Sequence, residues 1–347
     1  MNSNSLAKAG VASASAAARR LRPAQLMGCC LLAAVCVLMS LTALGSGALE
    51  LPFSQVMAAL FGKAPANVVL IVTQWRLPRV AMALILGAAL GVAGAVFQSL
   101  TRNPLGSPDI IGFNTGAYSG ALLMIMLTDG SQNYIALGAV AGGLLAGMTV
   151  YLLAWRQGIQ GFRLIIVGIA ISAMLSAANN WMIISASLAS AMSAALWMAG
   201  SLNGITWHKG VPSIALIAIA LVLMPVFNRR MQLLEMGDDA ATALGVNTGQ
   251  TRLALMVLGI TLTAAVAAAA GPISFIALAA PQLARRLTQS AGVPLLASAL
   301  MGAALLLCAD VVAQHLFSPN QLPVGVVTIS IGGLYLIWLL IRESRRL

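Results

Sequence analysis

Ten apolar stretches follow one another between Leu26 and Ile341, and nearly every arginine and lysine falls in alternate gaps between them. A helix of about 20 apolar residues is what the hydrocarbon core of a bilayer requires. A water-soluble core could not hide ten of them. The sequence is 60% hydrophobic and only 8% charged, against about 25% charged in soluble domains. In lipid each backbone group must pair within its own segment or within a closed barrel, and runs of this length select helices. The expected fold class is therefore all-α: a polytopic integral membrane protein with about ten transmembrane helices.

The predicted spans are residues 26–44, 80–97, 110–127, 134–155, 164–184, 211–227, 253–270, 273–284, 294–312 and 324–341. The eighth is too short to cross upright and is expected to be a short or tilted helix joined to the seventh at Gly271-Pro272. An even number of spans puts both termini on one side. Of 19 basic residues, only Lys63, Arg76, Arg79 and Lys209 fall opposite the termini. The positive-inside rule then places both termini in the cytoplasm. The formal charge of +11 is read as cytoplasmic loops beside anionic lipid, with no nucleic-acid partner. Residues 1–25, rich in Ala and Ser, read as a disordered cytoplasmic tail. Residues 26–342 form one transmembrane domain.

Small residues repeat at helix spacing in Gly87-x3-Gly91, Gly112-x3-Gly116-x3-Gly120 and Gly138-x3-Gly142. Such stripes let helix backbones approach closely. A faint echo, Ala93-Gly94 before Pro104 and Ala270-Gly271 before Pro281, suggests an inverted repeat. Cys29, Cys30, Cys36 and Cys308 lie in apolar spans without disulfide or zinc spacing, and His208 and His315 stand far apart. No resident metal site is expected.

Polar words are few, so they carry the chemistry. Trp75-Arg76-Leu77-Pro78-Arg79 precedes the second span on the outer side, where paired arginines suit acidic partners or headgroups. Residues 102–109, Arg-Asn-Pro-Leu-Gly-Ser-Pro-Asp, cannot form a continuous helix. They read as a gate element or an ordinary inner loop. Residues 234–246 read as a short cytoplasmic helix that Asp238 caps and Gly245 ends, either a lever for a soluble partner or a connector. Asp310 is an acid within a span, near its outer end, where a local hydrogen bond could satisfy it. No G-x4-G-K-[ST] loop is present, so any ATP would be hydrolysed by another chain.

At these words the sequence resembles the permease subunits of binding-protein-dependent ABC importers for iron chelates and cobalamin (FecCD type). The matching words are Arg76-Leu-Pro-Arg79, Ala93-Gly94…Gln98, Asn103-Pro104-Leu105, Met236-Gly237-Asp238…Ala243-Leu244-Gly245, Gly271-Pro272-Ile273-Ser274-Phe275-Ile276, Ala280-Pro281, Ala309-Asp310 and Leu322-Pro323-Val324-Gly325. The resemblance implies a type II ABC importer permease fold. Its expected partners are a second homologous permease subunit in a heterodimer, two cytoplasmic ATPase subunits that bind ATP and Mg, and a periplasmic siderophore-binding protein. It implies that Arg76 and Arg79 dock that binding protein. Asn103, Pro104, Leu105, Gly161 and Phe162 would form the cytoplasmic gate. Glu235, Gly237, Asp238, Asp239, Ala240, Leu244 and Gly245, within coupling helices at about 232–247, would seat on the ATPase. Within the family, Phe113-Asn114-Thr115-Gly116, Gly200-Ser201-Leu202-Asn203-Gly204 and Glu235-Met236-Gly237-Asp238-Asp239 resemble the branch that carries ferric catecholates, with ferric enterobactin as the expected cargo across the inner membrane. Alternatives are the same transporter type carrying haem or cobalamin, and a secondary transporter driven by an ion gradient. No cofactor is expected on this chain itself, and no enzymatic activity.

Overall fold

The computed structural model describes residues 23–47, 49–128, 131–155, 161–290 and 292–344. Residues 1–22 of the expected tail lie outside them. Helices α1 (Pro23–Gly45), α2 (Phe53–Leu60) and α3 (Ala66–Leu70) come first. A π-helical segment (Ile71–Arg76) joins α3 to α4 (Leu77–Thr101). Next are α5 (Phe113–Leu127), α6 (Gln132–Ala154), α7 (Gly161–Ser185), α8 (Leu188–Met198) and α9 (Trp207–Glu235). The chain ends with α10 (Asp238–Ala243), α11 (Thr248–Ala270), α12 (Ile276–Thr288), α13 (Leu295–His315) and α14 (Val324–Ser344). Seven of the described helical segments are long and apolar enough to cross a membrane, and α5, α12 and α14 fill the other predicted positions. All ten predicted spans thus coincide with helices.

Three differences have physical causes. The helix holding the second span begins at Ala66, so it runs 36 residues. The Trp75–Arg79 word therefore lies inside a helix rather than ahead of one. Pro78 sits within the first two positions of α4, just after the π-helical segment. A proline costs least there, where the α-helical bonding pattern has already been interrupted. Second, α8 occupies a region with no predicted span. It has 11 residues, too few to cross a bilayer, and Ser187 caps its start by accepting from the Ser190 N–H. Third, the two words of the suggested repeat sit in different settings. Gly94 lies within continuous α4, whereas Gly271 ends α11 with φ +74°.

The glycine stripes do what their spacing predicts, except that Gly112 precedes α5 with φ +91° and lies against Gly168 and Ser172 of α7. Gly116 and Gly120 of α5 pack backbone to backbone on Gly142 and Gly138 of α6. Gly87 and Gly91 of α4 meet Gly302 and the Ser298 carbonyl of α13. A Cβ at any of these positions would overlap a neighbouring main chain, so only glycine allows the approach. Helix α4 is the hub. It packs on α9, α11, α12 and α13, and everything from Ala89 to Thr101 is buried. A helix apolar on all sides belongs in such a centre. Helix α7 is the opposite case, with only Leu164, Gly168 and Asn179 buried.

Two irregular segments turn back into the bundle. Gly161, at the start of α7, abuts Thr101, while Gly168, two turns along the same helix, abuts Ile111. Residues 102–112 therefore climb about 10 Å beside α7. From the other end, Gly271–Phe275 descends to the start of α12. The two meet where an Asp109 carboxylate oxygen accepts the Phe275 N–H at 3.1 Å. Gln98 donates to the Leu278 carbonyl at 2.9 Å, and Gln282 donates to the Pro104 carbonyl at 2.8 Å. Irregular backbone is tolerated at depth where protein groups satisfy it in this way.

Candidate functional site

Below, the end of the bundle that holds Thr101, Ala154, Glu235 and Thr288 is called the basic end, and the opposite one the far end. At the basic end the predicted gate residues come together around the last turn of α4. Arg102 closes that helix with φ +49°. Asn103 follows, and its side-chain oxygen accepts the Leu105 N–H at 2.9 Å, which fixes a tight turn. Pro104 is held through its carbonyl by Gln282. Gly161 lies against the Thr101 backbone with no room for a Cβ. Leu105 and Phe162 are left exposed, Phe162 at 76%. Two apolar side chains thus project beside a backbone knot that helix packing fixes.

The predicted coupling segment stands next to it. Helix α10 has six residues and hangs between the ends of α9 and α11. Gly237 precedes it with φ +120° and Gly245 follows with φ +82°. An added Cβ has open space at both, so backbone conformation rather than crowding selects glycine. Ala241 is wholly buried and seats the helix. Met236 and Leu244 are 69% and 61% exposed. Asp239 is exposed and Ala240 partly so. Glu235 ends α9; its Oε1 is buried without a partner among the described residues, while the carboxylate is also held by Ser99 and the Val293 backbone.

Asp238 departs from its predicted capping role. No side chain caps α10. The Asp238 carboxylate, still half exposed, instead turns to two arginines: one oxygen accepts from Arg102 and, at 2.7 Å, from Arg252. Two guanidinium groups outbid the helix's own N–H groups for a single carboxylate, because charge-assisted bonds are roughly twice as strong as neutral ones.

At the far end, both predicted docking arginines are already engaged. Arg76 donates to the Leu44 carbonyl at 2.8 Å and to the Leu49 carbonyl at 2.5 Å, and so ties α1 and the turn after it to α4. Arg79 grips Asp310 with two bonds, Nε at 2.8 Å and Nη2 at 2.9 Å. Gln314 donates to the same carboxylate at 2.8 Å. The Arg79 Nη1 reaches out to Gln321 at 2.8 Å in an exposed contact. Asp310 is 1% exposed, and its local satisfaction is the outcome its position in the sequence suggested.

Beside these, a cavity of about 330 Å³ opens between α8, the loop before α9 and the end of α11. Gln132, Trp197, Asn203 and Lys209 are among its lining residues. Among the described residues no group of His, Cys, Asp and Glu could hold a metal ion. Sequence reading missed Arg102 and Arg252 as partners of Asp238, and Asp109 as the group holding Phe275. A carboxylate directly after Pro108 in a non-helical stretch was the available signal for Asp109. Nothing local marks Arg252, whose role arises only when α4, α9 and α11 converge.

A bundle of apolar helices with two re-entrant segments, a backbone knot at one end and a short exposed helix beside it has the build of a membrane-spanning transport subunit. Within that class the chain belongs to the FecCD transport family, whose profile matches residues 32–342. It is 56% identical over 321 residues to the ferric enterobactin transport system permease protein FepG of Escherichia coli, covering 92% of this chain and 97% of that one. The hemin transport system permease protein HmuU of Yersinia pestis is 34% identical, covering 94% and 98%. A solved metal-chelate type ABC transporter in an inward-facing conformation superposes with a TM-score of 0.82 at 26% identity, covering 90% of this chain and 98% of that one. The fold is that of a type II ABC importer permease, and the family is one of transport subunits.

Proposed function

We propose that this chain is an inner-membrane subunit importing ferric enterobactin from the periplasm to the cytoplasm, with ATP hydrolysed on two partner subunits. The observation that carries the reading is its 56% identity to FepG across nearly the full length of both chains. The basic end, where α1 begins and α14 ends, faces the cytoplasm, in keeping with the positive-inside rule. A second, homologous permease subunit completes the pathway as a heterodimer.

In this reading the α10 segment, Glu235 to Gly245, seats on an ATPase. Met236 and Leu244 offer it exposed apolar contacts and Asp239 an exposed charge. ATP-driven closure moves α10, the motion reaches Asn103, Pro104, Leu105, Gly161 and Phe162, and the gate changes state. The chelator already satisfies the iron, so the pathway needs no iron ligands. At the periplasmic end, Arg76 and Arg79 remain the docking candidates. Because Arg79 is committed to Asp310, an acid of the binding protein shares its outer Nη1 edge, now on Gln321, rather than meeting a free cation.

An ion-gradient mechanism would use an intramembrane carboxylate free to exchange protons. Asp310, held by three donors, does not favour it. The deciding measurement is uptake of ferric enterobactin into vesicles holding the complex with and without its ATPase subunits. Uptake is expected to stop when they are removed, and uptake that continues on an ion gradient alone would sink the proposal.

A further inference from the structure

One carboxylate gathers three helix ends at the basic end. Arg102, the C-terminal cap of α4, reaches Asp238 with Nη2 and the Leu234 carbonyl of α9 with Nε at 3.0 Å. Arg252, in the second turn of α11, reaches Asp238 at 2.7 Å and the Leu100 carbonyl of α4 at 3.3 Å. The two arginines are not equivalent. Arg252 is 4% exposed, whereas the Arg102 side chain is 39% exposed. Arg252 is thus the buried anchor: its charge would be left without an ionic partner if Asp238 were removed, which is costly for a buried cation. Arg102 is the outer, movable arm, and the residue after it is Asn103, where the gate turn begins.

We infer that Arg102 is a positioning residue that transmits movement of α10 to the gate turn, with Asp238 as its point of attachment and Arg252 as the fixed pivot. This deepens, and rests on, the reading of residues 235–245 as the ATPase-facing segment. Asp238 and Asp239 then divide the work, Asp238 held by the two arginines and Asp239 exposed. The covalent path from α10 back to the gate runs through the whole of α9, α8 and α7, whereas the ionic link is one side chain long. Displacing α10 shifts the Asp238 carboxylate. Arg102 follows, because no other acid lies within ion-pair distance of it among the described residues, and Asn103 is carried along by the peptide bond.

The test uses the full complex, with both permease subunits and both ATPase subunits, in proteoliposomes supplied with the binding protein and ferric enterobactin. Arg102→Gln removes the arm while leaving the Arg252–Asp238 pair intact. Expected are normal co-purification of the ATPase, retained ATP hydrolysis, and uptake per ATP reduced about tenfold or more. Arg102→Lys keeps a charge for Asp238 and is expected to restore part of the uptake. A second readout follows the gate itself. With native cysteines replaced, Phe162→Cys is expected to change its labelling by a water-soluble maleimide when ATP is added, and Arg102→Gln is expected to abolish that change. Normal uptake per ATP, unaltered ATP-dependent labelling, or loss of the ATPase from the Arg102→Gln complex would each overturn the inference. Leu244→Asp separates this from the underlying reading: it should release the ATPase, and a Leu244→Asp complex that retains it fully overturns the seating of α10 whatever Arg102→Gln does.

Discussion

Breaking the Arg79–Asp310 pair should cost very different amounts depending on which partner is removed. Asp310 is 1% exposed, and the Arg79 side chain is 13% exposed. Arg79→Met strips the carboxylate of two charged donors at 2.8 and 2.9 Å and leaves it with Gln314 alone. An uncompensated buried charge of this kind costs about 3–5 kcal/mol. Asp310→Asn leaves Arg79 at the rim, where it keeps Gln321 and can turn toward water, so its cost should be about 1–3 kcal/mol. Replacing both, Arg79→Met with Asp310→Leu, removes the charges and their desolvation together. The double variant should therefore lie near the wild type, since apolar replacement of a buried pair is often neutral or stabilising. Equilibrium unfolding of the purified subunit in mixed micelles would give the three values and their coupling. Additive costs, or an Arg79→Met variant as stable as wild type, would refute the claim that this pair clamps α4 to α13. The same variants bear on docking. If Arg79 only clamps, the stable double variant should bind the periplasmic protein as well as wild type. If its outer edge also docks, binding should fall although the fold is kept.

Other predictions follow from packing and satisfaction. Leu244→Asp should weaken ATPase co-purification by about 10- to 100-fold, the value of burying one leucine side chain, as read from titrated pull-downs. Gly91→Leu should prevent a monodisperse subunit in size-exclusion chromatography, because its side chain would displace the Ser298 main chain. Gly333→Ala should be tolerated, because nothing lies within 4 Å of the added carbon. Asp109→Ala should lower stability by about 1–3 kcal/mol by orphaning the Phe275 N–H, whereas Asp109→Asn, which keeps an acceptor, should cost less. Equal thermal shifts for the two would show that the bond does not hold the crossing.

Periodicity and composition sufficed for the parts of this protein governed by the solvent. Ten apolar runs, one-sided basic residues and glycines every fourth position are consequences of lipid and of helix geometry. They are written locally, so the spans and the small-residue faces of α4, α5 and α6 can be read without a structure, although which helix each face meets cannot. The polar words marked out the candidate gate and coupling segments for the same reason: an interruption in an apolar sequence is visible where it occurs. What such reading could not supply was direction. Asp238 looked like a cap because its neighbours in sequence form a helix, yet its carboxylate turns to two arginines 136 and 14 positions away. Arg79 looked like a free docking cation, yet its partner lies 231 positions on.

The sequence alone therefore determined the class of fold, the order of the spans, the family words and the segments where chemistry is concentrated. Only the tertiary structure decided which charges are spent holding helices together and which remain available to partners. The physical reason is that an ion pair depends on distance in space and on exclusion of water. Both are set by how α4, α9, α11 and α13 converge, which no window along the chain contains.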